Sequence, residues 1–327
     1  MASSGSYNFS MTRTDIIESA LRKCGLLVEG QSASANQLTD GAEALNVILK
    51  ALESTGRPLF SLRRVYVLPI DSVNSVILSS SGGYATTTVV HTQLSVAAVA
   101  SDGTVTVDDD TGMTDGDYIG IATDDGTIHW TTINGTPASN VITLTTAIDS
   151  AAAIDSDVYT FTNKLPTSPL RITDAWLRQF SAGDGNLGGK TYPINVLSRV
   201  EYYNISDRTV EGSPYNVYYH PDEVSGAFQG TLYFANRYLK CDKWIEVDAI
   251  YPFEDMDNAT DNLGLPAEWL DTIILKLAVR LGMEGRIPSA VLGIIKSEYK
   301  EARDEVEDMG MEEGSVRFVP NLDGRAR

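Results

Sequence analysis

Apolar residues recur at three- and four-residue spacing near the two ends of this chain and at two-residue spacing through its middle. Near the N-terminus Ile16, Ile17, Ala20, Leu21 and Cys24 fall on one helical face, and Gly25 follows as a stop. Thr14 or Asp15 is placed to cap that helix, with Glu18 completing a capping box from Asp15. A second stripe, Leu38, Ala42, Leu45, Ile48, Leu49 and Leu52, predicts a helix that starts near Ala35 and ends at Gly56 and Pro58. Toward the other end, Pro266 suits a first helical turn. Trp269, Leu270, Ile273, Ile274, Leu277, Ala278 and Leu281 then form a broad stripe before Gly285. After Arg286-Ile287-Pro288 the pattern resumes with Val291, Ile294, Ile295, Tyr299, Ala302 and Val306. Four amphipathic helices split between two ends must bury their stripes, and packing on one another is the simplest solution.

Between them, residues 65–70, 197–205, 215–219, 230–234 and 244–251 are rich in Tyr, Val and Ile. Clusters of Gly, Pro, Asp and Asn separate them, which predicts an antiparallel sheet. Residues 85–165 have a different composition. Eleven aspartates stand there against one basic residue, Lys164, so ten of the nineteen net negative charges fall in this segment. Residues 117–123 and 127–133 read as two strands around an Asp124-Asp125-Gly126 turn, and 141–148 and 158–161 add strand. The predicted fold class is α+β, with a four-helix unit from both chain ends, an antiparallel β-sheet domain and an inserted small β-module. Its boundaries are an arm over 1–10, a helical hairpin over 11–58, a β domain over 59–84 and 166–255, and the module over 85–165. A helix pair over 256–309 and an extended tail over 310–327 complete it.

Composition narrows the function classes. A chain of 327 residues with 43% hydrophobic content suits a soluble globular protein of two or three domains, or of one large core with an insertion. No run approaches the ~20 apolar residues of a membrane span. The opening MASSGSYNFSMTRTD lacks the charged start and apolar core of a signal peptide. Two cysteines, Cys24 and Cys241, make neither a disulfide framework nor a CxxC zinc site, which favours a reducing cytoplasm. A net charge of −19 argues against gripping DNA by phosphate neutralisation, but not against surrounding DNA and letting it pass.

Candidate chemistry is sparse. "GDGNLGGKT" (183–191) resembles a phosphate-binding loop, but Asp184 stands where the first glycine belongs, and Tyr192-Pro193 disfavours a following helix. It reads as a loop between two antiparallel strands. His91, His129 and His220 are widely separated, with His129 on the surface of a hairpin beside Trp130. The turns at Asp108-Asp109-Asp110-Thr111-Gly112 and Asp255-Met256-Asp257-Asn258-Ala259 lack the full ligand set of an EF-hand. No pair of acids is placed across a cleft for glycoside hydrolysis. No catalytic residue, cofactor or metal is therefore expected. The tail carries Ser315-Val316-Arg317-Phe318-Val319-Pro320 and ends Gly324-Arg325-Ala326-Arg327. This is either an ordinary chain end or a peptide that docks on a partner as an added strand.

Several segments resemble one family. "TRTDIIESALRKCGLL" and "ALNVILKALESTGRPLF" within 11–58 are similar to the N-terminal hairpin of head-to-tail adaptor proteins of short-tailed bacteriophages, also called tail accessory or connector ring proteins. "VEYYNISDRTVEGSPYNVYY" (200–219) resembles their sheet domain. "YPFEDMDNATDNLGLPAEWLDTIILKLAVRLGMEGRIP" (251–288) resembles their closing strand, acidic loop and helix pair, and "DDGTIHWTTI" a module of some members. The resemblance implies a non-enzymatic virion protein at the capsid–tail junction, assembled in the host bacterial cytoplasm. It would be a homo-oligomeric ring, commonly a dodecamer, beneath the portal protein. The ring would extend the channel for passing double-stranded DNA, without sequence-specific binding, and dock tail nozzle or tail fibre proteins; no membrane is involved. Adaptor termini that reach into portal clefts make Arg317, Phe318, Val319, Pro320, Arg325 and Arg327 the expected portal contacts. Alternatives are another tail component, such as a nozzle or a carbohydrate-binding decoration using Trp130 and the tyrosines, or a cell-wall-degrading virion enzyme.

Overall fold

A computed structural model describes residues 9–53, 61–70, 73–180, 189–224, 227–238 and 243–309. Two compact units emerge. One combines the residues up to Ser61 with those from Pro252 onward; the other is Leu62–Tyr251.

The first unit contains α1 (Arg13–Lys23) and α2 (Ala35–Glu53). The cap of α1 is Thr12, two or three residues earlier than the Thr14 or Asp15 that the sequence pattern implied. Thr12 Oγ1 accepts from the Asp15 amide, and the Asp15 carboxylate accepts from the Thr12 amide at 3.1 Å. Aspartate thus fills the third position of the capping box. Glu18 instead pairs with Arg22 at 2.7 Å and accepts from the Ala33 amide at 3.1 Å. Ser34 and Gln37 make the equivalent reciprocal bonds before α2.

The second unit is almost wholly β. It opens with β1 (Leu62–Val67), β2 (Val73–Ile77), β3 (Ala85–Thr86), β4 (Val90–Gln93) and β5 (Thr104–Thr106). Next come β6 (Tyr118–Ala122), β7 (Ile128–Thr132), β8 (Val141–Thr143) and β9 (Asp157–Phe161). Then follow β10 (Arg171–Gln179), β11 (Lys190–Val196), the short helix α3 (Arg199–Tyr203), β12 (Asn216–Val224), β13 (Ala227–Tyr238) and β14 (Lys243–Ile250). Eight strands form one curled sheet in the order β2-β13-β12-β11-β10-β14-β1-β3. Val65, Val217, Leu232, Phe234, Ile245 and Val247 from its alternating positions are fully buried on one face. Within 85–165 a four-stranded sheet, β4-β9-β6-β7, and the pair β5-β8 enclose Leu94, Val107, Ile119, Ile121, Ile142 and Val158. A separate aromatic cluster, with Tyr159, Phe161, Phe180, Trp244 and Leu68, brings residues of both sheets together.

After β14 the chain returns to the first unit with α4 (Trp269–Glu284) and α5 (Ser289–Met309). α4 is the hub. Trp269, Leu270, Ile273, Leu277, Ala278 and Leu281 are all at most 7% exposed, and α1, α2 and α5 all pack on it. Gly41 lets α2 approach α1 closely, since a Cβ there would stand 2.6 Å from Ile17 Cγ2.

These observations correct the expected fold class. The protein is not an α+β fold with a four-helix unit beside an antiparallel sheet. It is mostly β, dominated by the eight-stranded sheet, with 26% helix. The sheet is also mixed, because β11 and β12 run parallel, with Asn195 opposite Asn216. A four-helix unit is not shown: among the described residues α5 contributes Ile295 and Val306 to the buried core, with Tyr299 and Ala302 only partly buried against it. Its Val291 and Ile294 remain 39% and 60% exposed. An apolar stripe states which face avoids water, not which neighbour covers it. The expected strand at 197–205 is also corrected. Ser198 and Glu201 form a capping box, and that local bonding turns the Tyr-rich segment into α3.

Leu277 is fully buried in the α4 hub, so Leu277→Asp places an unpaired carboxylate among apolar side chains. The expected loss is about 3 kcal/mol or more of unfolding free energy, read by denaturant or thermal melts. A variant that melts with the parent removes this residue from the core.

Candidate functional site

α2, α4 and α5 leave an open groove between them. α4 gives the floor with Trp269, Ile273, Lys276 and Val279; α2 gives one wall with Val47, Ile48, Ala51 and Leu52; α5 gives the other with Tyr299, Arg303 and Glu307. The half toward Val47 and Met283 encloses about 410 Å³, room for several side chains, and is almost entirely apolar. Lys276 lines both halves, Arg280 the half toward Met283, and Arg303 and Glu307 the half toward Trp269. Arg303 donates to Glu307 at 2.7 Å, which holds its guanidinium in the charged form. Lys276 lies half-buried in the floor without an ion pair among the described residues. Burial, and then the positive charge of Arg303, push its pKa below the usual lysine value. Asp40, Glu43 and Glu284 stand near Arg280 at the rim. The sequence showed the stripes of α2, α4 and α5 but not this groove. Val47 and Ala51, which fall outside the α2 stripe, were its only signal.

A second cluster lies where α3 packs on the main sheet. Tyr202 stacks on Tyr218 at 5.3 Å, Tyr218 on Tyr233 at 5.9 Å, and Arg208 covers Tyr202 at 5.0 Å. Tyr202 and Tyr218 are buried by this packing, so they are not open stacking surfaces; Tyr203 remains 55% exposed.

The tail residues Arg317, Phe318, Val319, Pro320, Arg325 and Arg327 lie outside the described residues, as do 183–188 of the glycine-rich segment and Cys241. Lys190 and Thr191 open β11, which pairs antiparallel with β10 through Gln179 and Lys190. The segment therefore links two strands and leads into no helix, so it lacks the helix N-terminus a P-loop uses. The histidines have separate partners. His91 bonds Asp157 at 3.0 Å, and His220 bonds the Tyr218 hydroxyl at 3.1 Å. His129 is not a surface residue as its hairpin position implied: it is 7% exposed, with Nδ1 3.1 Å from Asp149.

The Asp-rich turns use their carboxylates internally. Asp109 accepts from the Thr111 amide at 2.9 Å and Asp110 from the Asn140 amide at 3.0 Å, while Asp255 pairs with Lys50 at 3.0 Å. Asp125 accepts from Thr123, Thr127 and Ser150, bonds that hold its carboxyl well below the ordinary range. Among the described residues no three of His, Cys, Asp and Glu gather as a ligand set. Cys24 is buried, its thiol donating to the carbonyls of Ala20 and Ala278, and desolvation pushes its pKa up to about 11. Such a thiol is a poor nucleophile at neutral pH. No helix of the described residues is long and apolar enough to cross a membrane.

Neither a family model nor a curated protein matches the chain.

Trp130, the residue best suited to stack on a sugar, is committed elsewhere. Its ring stacks on Tyr84 at 3.9 Å, its Nε1 donates to the Pro69 carbonyl at 3.0 Å, and it covers Gly120 so closely that a Cβ there would clash. Trp130→Ala should therefore destabilise the protein by about 3 kcal/mol or more. Soluble oligosaccharides should leave the tryptophan fluorescence of the parent unchanged. A saturable fluorescence change on adding a glycan, with little loss of stability in the variant, assigns Trp130 to binding instead.

Proposed function

We propose that this chain is a virion structural protein, the subunit of a head-to-tail adaptor ring beneath a phage portal. It acts without catalysis, extends the DNA channel and offers the tail its docking platform. The observation that carries the reading is the joining of two segments that carry the family resemblance, 11–58 and all of 251–288 from Pro252 onward, in one compact unit. The joint is polar and specific as well as apolar. Arg13 donates to the carbonyls of Met256 and Asp257 at 2.9 and 2.7 Å. The Met256 amide donates to Asn46 at 3.0 Å, and the Phe253 amide to Glu53 at 2.7 Å. Thus the acidic loop of the resemblance is held against both N-terminal helices.

Charge supports the same reading. A protein carrying −19 repels phosphate at short range, so DNA passing beside it slides without being held. The virion location, the ring with its commonly twelve-fold symmetry, and the portal, nozzle and fibre partners all come from the resemblance.

The test is to mix the purified chain with portal rings and image the product by negative stain. Added density of matching symmetry below the portal is the expected result; portal rings that stay bare overturn the reading. For the tail contact, Phe318→Ala should weaken portal binding about tenfold or more, since a buried anchor of that size contributes ~1.5–3 kcal/mol. Truncation after Gly314 should weaken it further. Undiminished affinity of the folded truncated chain moves the portal contact onto the helices.

A further inference from the structure

The groove between α2 and α5 leaves apolar side chains in water. Val47 is 50% exposed and Met283 52%, with Ile48, Ala51 and Val279 between them. Beside them Lys276 is half-buried and unpaired among the described residues. Such a surface suits an occupant that brings apolar side chains and a carboxylate together. We propose that the groove is the docking site of this chain's own residues 312–320, with Val316 and Phe318 seated in its apolar half and Glu312-Glu313 beside Lys276.

The chain leaves α5 at the right place. Glu307 lines the groove, and α5 ends at Met309, so the following residues start from the groove's own rim. The reach is ample. The floor from Trp269 to Met283 is about 21 Å long at ~1.5 Å per helical residue, whereas residues 310–318 extended span about 30 Å.

Chemical order also matches. Glu312-Glu313 comes first along the chain, and Lys276 and Arg303 line the half nearest Glu307. Val316, Phe318 and Val319 follow, and the far half is lined mainly by apolar side chains such as Val47, Ala51, Val279 and Met283, together with Lys276 and Arg280. A carboxylate beside Lys276 offsets the burial and the repulsion that disfavour its ammonium. A second copy seated groove to groove about a two-fold axis would instead bring Lys276, Arg280 and Arg303 toward their own counterparts. The contact covers Phe318 in the isolated chain, so any partner that takes the tail must compete with the groove, and Phe318→Ala then weakens that partner's binding only by the amount its own contact with Phe318 exceeds the groove's. It stands independently of the portal reading, and its test contains no portal.

The experiment is limited trypsin digestion of the full-length protein. It compares cleavage after Arg317, within the docked segment, with cleavage after Arg325, beyond it. A free peptide of residues 306–327 supplies the reference ratio of the two rates. In the protein the Arg317 bond should be cut about tenfold more slowly than that ratio allows, the factor one buried apolar anchor is worth. Val47→Asp and, separately, Met283→Glu alter half-exposed positions and should restore the peptide's ratio. Melting curves and cuts after Lys276 or Arg303 identify a variant that has lost its fold, and the other variant then carries the comparison. A parent ratio equal to that of the peptide overturns the proposal, as does a slowed ratio that persists in a folded variant. If these substitutions dissociate an assembly in sedimentation and leave the ratio unchanged, the groove belongs to a second copy and the proposal falls.

Discussion

The burial of α4 is the constraint on which the end-derived unit depends. Its apolar residues face three neighbouring helices, so it has no stable state in water by itself. Each fully buried Leu or Ile contributes about 1.5–3 kcal/mol, an upper value because unfolded chains already bury part of this surface. The partners come from both ends of the sequence. Cys24 donates to the carbonyl of Ala278, 254 residues away. α1 and α2 therefore cannot complete their core until α4 is present, and the loop closed between them contains the whole β unit. Contacts of such separation slow folding more than they weaken the folded state.

The β unit meets a different constraint: its charges must be satisfied within strands that also build a core. Glu246 on β14 is 4% exposed, yet it accepts from Arg178 on the neighbouring strand at 3.1 Å and from Trp244 Nε1 at 2.9 Å. Arg64 on the opposite neighbour bonds Asp248 at 2.8 Å. Cross-strand partners thus stand on both sides of β14, and a one-residue slip would place these charges on the apolar face. The module handles its aspartates otherwise. Asp102, Asp109, Asp117 and Asp125 accept from amides within their own turns, whereas Asp110, Asp115 and Asp124 accept from amides 30, 20 and 29 residues away, so the acidic residues both shape tight connections and tie distant turns together.

What the sequence made legible follows from the range of each signal. The stripes of α1, α2 and α4, and the strand–turn–strand over 117–133, are local patterns of side-chain spacing, and the structure has these elements close to where the patterns lie. The Ser198–Glu201 box is equally local, but β-rich tyrosines masked it. The parallel pairing of β11 with β12, the burial of His129 and the commitment of Trp130 to Tyr84 and Pro69 depend on residues far apart in sequence. No periodicity encodes them. The fold class was misread for a related reason. The stripes and strand patterns are local, but which neighbour covers each stripe, and which strands join into one mixed eight-stranded sheet, is set by residues far apart in sequence. Of the candidate site, the α4 and α5 stripes include Trp269, Ile273 and Tyr299, but not Lys276, Val279, Met283, Arg303 or Glu307. Val47 and Ala51, apolar but outside the α2 stripe, were the only sign that a groove would separate α5 from α2.

That groove has a physical origin in the same packing. Gly41 draws α2 toward α1, and Thr272 Oγ1 donates to the Ala302 carbonyl at 3.1 Å, holding α5 on α4. Each outer helix is thus held close to a different neighbour, and the space between α2 and α5 stays open. Lys276 keeps it open. Were its position apolar, closing α2 onto α5 would bury only hydrocarbon and gain free energy with every contact. With an ammonium in the floor, the same closure would desolvate a charge that burial and the positive Arg303 already disfavour. Collapse of the helices on one another is opposed, while an occupant that supplies its own carboxylate is not.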